Sequence, residues 1–305
     1  MYNYEKIINL AKDLNCDVLK DEKMSDHTSF KIGGKADLFL IIKDENTLLK
    51  ILQELNLQDI PFFVIGNGSN LLISDDGIKG VVLKLSGKFN EIILVDHETI
   101  KCGSGVLLSK LCNFALKNSL SGLEFAFGIP GSVGGAVYMN AGAYGGEMKD
   151  VISSCNHVTK NGENGKAHID DLDFSYRKSI YTETNDIITS VIIKLKKDDA
   201  IHIKERMNDF ISRRKTKQPL EYPSAGSVFK RPVNNFAGTL IENCGLKGKS
   251  IGGAMISEKH AGFIVNKGGA KCEDVINLIK LIQDKVLQET GVILECEVKS
   301  LENKK

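Results

Sequence analysis

Hydrophobic positions alternate along the chain between a helical period and short strand-like runs. Ile7, Ile8, Ala11 and Leu14 fall at helical spacing and predict a short amphipathic helix over 3–14. Phe39, Leu40, Ile41 and Ile42 predict a strand, and 45–56 returns to the helical stripe with Leu48, Ile51, Leu52 and Leu55. Pro61 opens a strand from Phe62 to Ile65, which runs into Gly66-Asn67-Gly68-Ser69-Asn70. Strands follow at Leu71 to Ile73 and Val81 to Leu85, parted by the turn signal Asp75-Asp76-Gly77. Ile92 to Val95 reads as a strand. Val106 to Lys117 reads as a helix, with Leu107, Leu111, Phe114 and Ala115 on one stripe and Ser104 as its N-cap. Val151 to Thr159 and Ile187 to Lys194 are expected strands. A charged helix over 200–217 is stopped by Pro219, and Phe236 to Cys244 forms another helix among short strands. The helix over 273–289 puts Val275, Ile276, Ile279, Ile282 and Val286 on its apolar face, with Gly291 closing it. The last expected strand is Val292 to Lys299, with Leu294, Cys296 and Val298 on one side and Glu295, Glu297 and Lys299 on the other. Such mixed order predicts α+β lobes rather than one regular sheet, divided at 1–85, 86–200 and 201–305.

Composition narrows what these lobes can do. The 305 residues are 42% hydrophobic and 26% charged, which suits a chain that buries a real core. Lys+Arg 40 against Asp+Glu 39 leaves +1, so no global field favours nucleic acid or an anionic membrane. No apolar run approaches ~18 residues, and the first residues lack the charged start and apolar stretch of a secretory signal. The expectation is a cytoplasmic protein. Seven scattered cysteines without a CxxC argue against a disulfide framework or zinc site, and no metal is expected. Glycine is the unusual entry: of 29 glycines, fifteen lie between Gly66 and Gly146, where backbone is expected to approach something closely.

Common phosphate motifs fail. No GxGxxG lies between a strand and a helix, and Gly248-Lys249-Ser250 has Asn243 where a P-loop needs glycine. The six histidines are isolated in sequence. What remains is a two-part glycine constellation. Gly66-Asn67-Gly68-Ser69-Asn70 reads either as a tight turn or as a nest of backbone N–H groups for an anion. Gly128-Ile129-Pro130-Gly131-Ser132 leads into Gly134, Gly135 and Ala136, then Asn140 and Ala143. Here Gly131-Ser132 is expected to open a helix whose free N–H groups face a phosphate. Two such segments about 60 residues apart point to a large diphosphate ligand between two lobes. Three later segments carry possible chemistry: Tyr176-Arg177, Ser227 within Ala225–Lys230, and the polar side of Leu294–Lys299. Their plain readings are a surface charge, a turn serine and a solvated strand face. The basic Arg213-Arg214-Lys215 run reads as a solvated helix end or a phosphate contact.

Together these segments resemble the UDP-N-acetylenolpyruvoylglucosamine reductase (UDP-N-acetylmuramate dehydrogenase) family of peptidoglycan synthesis. The likeness runs in order from Thr28–Gly34 through the loop ending at Asn70, Gly128–Gly135, Asn140–Ala143 and Ser175–Arg177. It continues through Ser224–Lys230, Leu246–Gly248, Ile251–Ala254, His260–Gly262 and Leu294–Val298. The resemblance implies an FAD-binding domain of two lobes (1–85 and 86–200), of the vanillyl-alcohol-oxidase type, and a carboxy-terminal substrate-binding domain (201–305). It implies FAD as cofactor, NADPH as co-substrate, a nucleotide-sugar substrate and a monomer. Carried over by position, Ser227 would give a proton to C2, while Arg177 and a protonated Glu297 would stabilise the enol-like intermediate. Tyr176 and Lys230 would bind substrate. Lys35 stands where the family often has proline, and Arg231 where longer members have a small amide. The short connection from Arg177 to Ser227 suits the compact form, which lacks an extra tyrosine-bearing loop. Two other readings stay open: a flavin-dependent sugar or alcohol oxidase, and a nucleotide-binding protein without catalysis.

Overall fold

The computed structural model of the chain describes residues 2–301. It is a mixed α+β structure in two units, each assembled from separated stretches of sequence. The first takes in the chain up to Lys20, then Leu38–Asn67 and Gly80–Arg213. The second takes in Asp21–Asp37, Gly68–Lys79 and the chain from Arg214 onward.

Two cores build the first unit. In one, the helices Glu5–Asp13 and Glu45–Leu57 bury the stripes their spacing predicts, against Leu38, Leu40, Ile42, Val81 and Leu83 of the strands. Asp44 caps the second helix, its carboxylate accepting the Thr47 N–H at 2.9 Å. The strands belong to a four-stranded sheet ordered Asp17–Lys23, Lys35–Ile42, Ile78–Leu85, Phe62–Ile65, with the last two parallel. The other core lies on a five-stranded antiparallel sheet ordered Asn164–His168, Ile152–Val158, Ile187–Lys194, Thr99–Gly103, Ile92–Leu94. The helices Leu108–Lys117 and Val133–Tyr138 cover it, and Ile203 and Met207 of the helix Ala200–Lys217 join it. Arg206 of that helix binds Glu124 at 2.7 Å and also Asp198, and Glu124 is otherwise held by Ser121 and the Gly122 N–H. Burial pushes the Glu124 carboxyl up, but these donors outweigh it and hold it below its ordinary value.

The second unit packs the helices Ala237–Asn243 and Cys272–Thr290 on a three-stranded antiparallel sheet, Ser250–Ile251, Ala254–Ile256 and Ile264–Asn266. Leu71–Ile73 lies parallel to Lys299–Leu301. Asp75 caps the long helix from 197 residues away, accepting the Cys272 and Glu273 N–H groups at 2.9 and 3.2 Å.

Three expectations change. Ser104 does not cap a helix: that helix starts at Leu108 behind Leu107, and the Ser104 carbonyl accepts the Gly134 N–H at 2.8 Å. On the long helix Leu278 is buried and Ile276 is exposed, because the seam repeats at 275, 278, 282 and 286. The strand expected from Val292 is regular only over Lys299–Leu301. Before that, the Glu297 and Val298 N–H groups both point to the Val228 carbonyl, a two-against-one bulge. Leu294 and Val298 stay buried, whereas Cys296 is exposed. Among the described residues no helix is long and apolar enough to cross a membrane.

Candidate active site

The loop after the strand Phe62–Ile65 exposes its backbone. Among the described residues, no acceptor takes the N–H groups of Asn67, Gly68, Ser69 or Asn70. Four successive donors of this kind fit a diphosphate. The Gly68 position owes its glycine to its own surroundings: φ is +63°, and a Cβ there would lie 2.0 Å from the His27 carbonyl oxygen. The Ser29 N–H reaches the Gly68 carbonyl at 3.2 Å, which fixes this approach.

The second glycine segment meets the start of this loop. Asn67 Nδ2 donates to the Pro130 carbonyl at 2.7 Å, and a Cβ on Gly66 would lie 2.3 Å from Ser132 Oγ. Ser132 caps the helix Val133–Tyr138, its hydroxyl oxygen accepting the Gly135 N–H at 3.3 Å. That helix does not present free donors, contrary to the expectation from Gly131-Ser132. The Val133 N–H goes to the Val106 carbonyl, Gly134 to Ser104 and Ala136 to Ser132, while Gly131 donates to Ile129. From Gly131 to Ala136 only the Ser132 N–H lacks an acceptor among the described residues. Asn140, 1% exposed, spends its amide inside the protein: Nδ2 donates to Glu147 at 2.8 Å and to the Ser175 carbonyl at 2.9 Å, and Oδ1 accepts the Lys149 N–H. Ala136 is buried, and Ala143 sits half-buried in the short hairpin Gly142–Ala143 with Gly146–Glu147.

Asn140 thereby anchors the turn that carries Tyr176-Arg177. Ser175 and Lys178 bond each other across it at 3.1 and 3.2 Å. Arg177 takes a left-handed φ of +59°, a strained backbone for a side-chain-bearing residue. Its guanidinium donates to the Gly142 carbonyl at 3.4 Å and stands 5.1 Å from the Tyr176 ring centre. Tyr176 is 47% exposed.

In the second unit, three backbone segments come together around Ser227. Its strand pairs on one side with Phe263, through the Val228 N–H to the Gly262 carbonyl at 2.9 Å. On the other, Phe229 pairs with Cys296, through Lys230 N–H to Glu295 at 2.8 Å and Glu297 N–H to Val228 at 2.8 Å. This places the Ser227 and Glu297 segments side by side, 70 residues apart in sequence. The Ser227 hydroxyl donates to the Phe229 carbonyl at 3.2 Å. Lys230 Nζ is 3.0 Å from Glu295. His260 secures the outer segment: its Nδ1 accepts the Gly262 N–H at 3.1 Å, and its ring packs edge-on to Phe263. Burial holds its imidazole below the usual histidine range, which keeps that nitrogen an acceptor. Among the described residues no cluster of His, Cys, Asp or Glu is arranged to hold a metal.

Two family models match in chain order. An FAD binding domain matches 36–166, and the C-terminal domain of UDP-N-acetylenolpyruvoylglucosamine reductase matches 218–301. A UDP-N-acetylenolpyruvoylglucosamine reductase of Clostridium botulinum (strain Hall) is 48% identical over 304 residues, covering 98% of both chains. The chain belongs to this reductase family. The reductase of Clostridium tetani is 45% identical, over 98% of this chain and 97% of that one. The crystal structure of the reductase from Thermus caldophilus covers 94% of this chain and 99% of its own, with a TM-score of 0.81 at 36% identity. This reductase therefore carries a flavoprotein's FAD-binding domain, and both glycine segments lie within it. Ser227 and Glu297 lie within the C-terminal match. Sequence reasoning passes over one residue of its site and gives another a different part. His260 was one isolated histidine among six, although the glycine two residues on is the signal for its local bond. Asn70 belongs to the expected anion nest, and nothing local reveals that its side chain turns to the Glu297 carbonyl.

Proposed function

We propose that this chain reduces the enolpyruvyl ether of UDP-N-acetylglucosamine to the lactyl ether, giving UDP-N-acetylmuramate for peptidoglycan synthesis, with NADPH as the electron source. The observation that carries this reading is the pairing of the Ser227 and Glu297 segments through the Val228 and Phe229 backbone. It brings a hydroxyl and a carboxyl, both named by the family pattern, to adjacent strands.

FAD, when bound, would supply the hydride chemistry between NADPH and C3 of the enolpyruvyl group. The N–H groups of 67–70 would hold its diphosphate, and Gly128–Ala136 with Ala143 would form the second wall, while Asn140 supports that wall from behind through its internal bonds. Hydride at C3 leaves an electron pair on C2, conjugated with the substrate carboxylate. Arg177 meets that charge, and one preorganised cation of this kind is worth about 3 kcal/mol. Glu297 in its protonated form donates to the same enolate. Ser227 gives its proton to C2, which completes the reduction. To do so its hydroxyl leaves the Phe229 carbonyl that it bonds here. Tyr176 and Lys230 bind the nucleotide sugar. The protein acts as a cytoplasmic monomer of the compact form.

Stopped-flow absorbance of the two half-reactions tests this. Ser227→Ala leaves flavin reduction by NADPH within about twofold and slows reoxidation by the enolpyruvyl nucleotide by about 10²–10⁴. Equal loss in both halves would remove Ser227 from the proton-donor role. A purified protein that is colourless and takes up no FAD would remove the cofactor.

A further inference from the structure

Asn70 closes the glycine loop, yet its side chain faces away from any ligand role. Its Nδ2 donates to the Glu297 carbonyl at 3.1 Å, and its own carbonyl accepts the Lys299 N–H at 3.0 Å. The next three residues continue the grip: Leu71–Ile73 runs parallel to Lys299–Leu301 in fixed register, and the Ser74 N–H reaches the Leu301 carbonyl at 3.1 Å. One residue thus bonds both flanks of the bulge at Glu297 and Val298. A bulge bends its strand and re-aims the side chain at the bend. It also takes that stretch out of the regular ladder, so its backbone groups need partners from elsewhere. A planar amide two bonds from the backbone reaches the Glu297 carbonyl while the Asn70 backbone serves Lys299. A carboxylate in the same place offers no proton to that carbonyl.

We propose that Asn70 is a positioning residue for Glu297: its amide fixes the bulge that aims the Glu297 carboxyl, while its N–H remains with the cofactor loop. The loop that holds the cofactor diphosphate and the strand that carries the acid then share one residue. This rests on the reading of Glu297 as a group that touches the reacting substrate.

The test uses the FAD-loaded full chain and follows both half-reactions in Asn70→Ala, Asn70→Asp, Glu297→Gln and the double variant Asn70→Ala/Glu297→Gln. The expected result leaves FAD affinity and flavin reduction by NADPH within about threefold in Asn70→Ala, with reoxidation by the enolpyruvyl nucleotide slowed about tenfold or more. Asn70→Asp, which keeps the shape but sets an anion against the Glu297 carbonyl, slows reoxidation further. On the Glu297→Gln background, Asn70→Ala costs less than about twofold, because no acid remains to aim. FAD affinity lost more than about tenfold, with normal half-reactions at saturation, would make the Asn70 side chain a cofactor ligand and overturn the proposal. Fully additive losses in the double variant overturn it as well, as does failure of both Asn70 variants to fold. If Glu297→Gln alone leaves reoxidation unchanged, the reading of Glu297 fails, whatever Asn70 does.

Discussion

The loop Gly66–Asn70 and the segment Gly128–Gly146 share a composition and use it in opposite ways. In the loop the donors are open and the glycine is locked: the N–H groups of 67–70 have no acceptor among the described residues, whereas Gly68 presses on the His27 carbonyl. In the segment the donors are consumed and one glycine is open. The first turn of its helix gives its N–H groups to Val106, Ser104 and Ser132. Gly135 is exposed, and a Cβ there would meet only Ser132 Oγ, at 3.3 Å. A glycine-rich sequence therefore does not say whether glycine is kept for the fold or for a ligand. The two questions, which donors are free and which Cβ would collide, are answered separately at each position.

The largest effect is expected at Gly68. Gly68→Ala puts a methyl 2.0 Å from the His27 oxygen and 3.0 Å from the Thr28 Cα, at a φ that side chains rarely adopt. Backbone strain and overpacking together cost about 3 kcal/mol. The loss is expected in the apoprotein, read by urea unfolding. An apoprotein of unchanged stability with weakened FAD binding would break the comparison, because Gly68 would then be kept for the ligand.

Next in size is Ser132→Ala, which removes the cap from the Gly135 N–H. A lost cap costs about 1 kcal/mol, again in the apoprotein. The comparison is sharpened if FAD affinity changes by less than the stability does, since the donors of this helix then serve the fold. It is broken if stability holds and only FAD affinity falls.

Much of this was legible along the chain, and what was not has a common cause. The helix over 45–56 is legible from period alone, because its partners only have to be apolar, and the one over 200–217 from its charge and the Pro219 stop. The strand expected after Val292 breaks where one carbonyl, Val228, takes two N–H groups, a long-range choice that local alternation does not record. A 3.6-residue stripe tolerates either Ile276 or Leu278 inside, and packing selects Leu278. In the candidate site, residue types were visible and their commitments were not. Asn140 stands in the glycine segment expected to face a ligand, but three internal bonds occupy its side chain. Gly131-Ser132 looks like an anion-binding helix start, but carbonyls from Ser104 and Val106, more than 25 residues away, take its donors.

The smallest expected effect is the one that separates the two regions most sharply. Gly135 is the third residue of a capped helix turn, and that position ordinarily bears a side chain, as glutamate does in a capping box. The 3.3 Å contact with Ser132 Oγ is met by a shift of a few tenths of an ångström in a hydroxyl on a rotatable bond. Alanine at an exposed helical position also loses less backbone entropy on folding than glycine. Gly135→Ala is therefore expected to raise apoprotein stability by about 0.5–1 kcal/mol. In the FAD-bound protein the same methyl stands on the face proposed as the second wall, and FAD affinity is expected to fall by about tenfold, or 1.4 kcal/mol. Gain without ligand and loss with it, from one methyl, identifies a glycine kept for what binds beside it. If the apoprotein gains and FAD affinity is unchanged, that face of the helix is not the cofactor wall, and the diphosphate reading rests on the loop alone.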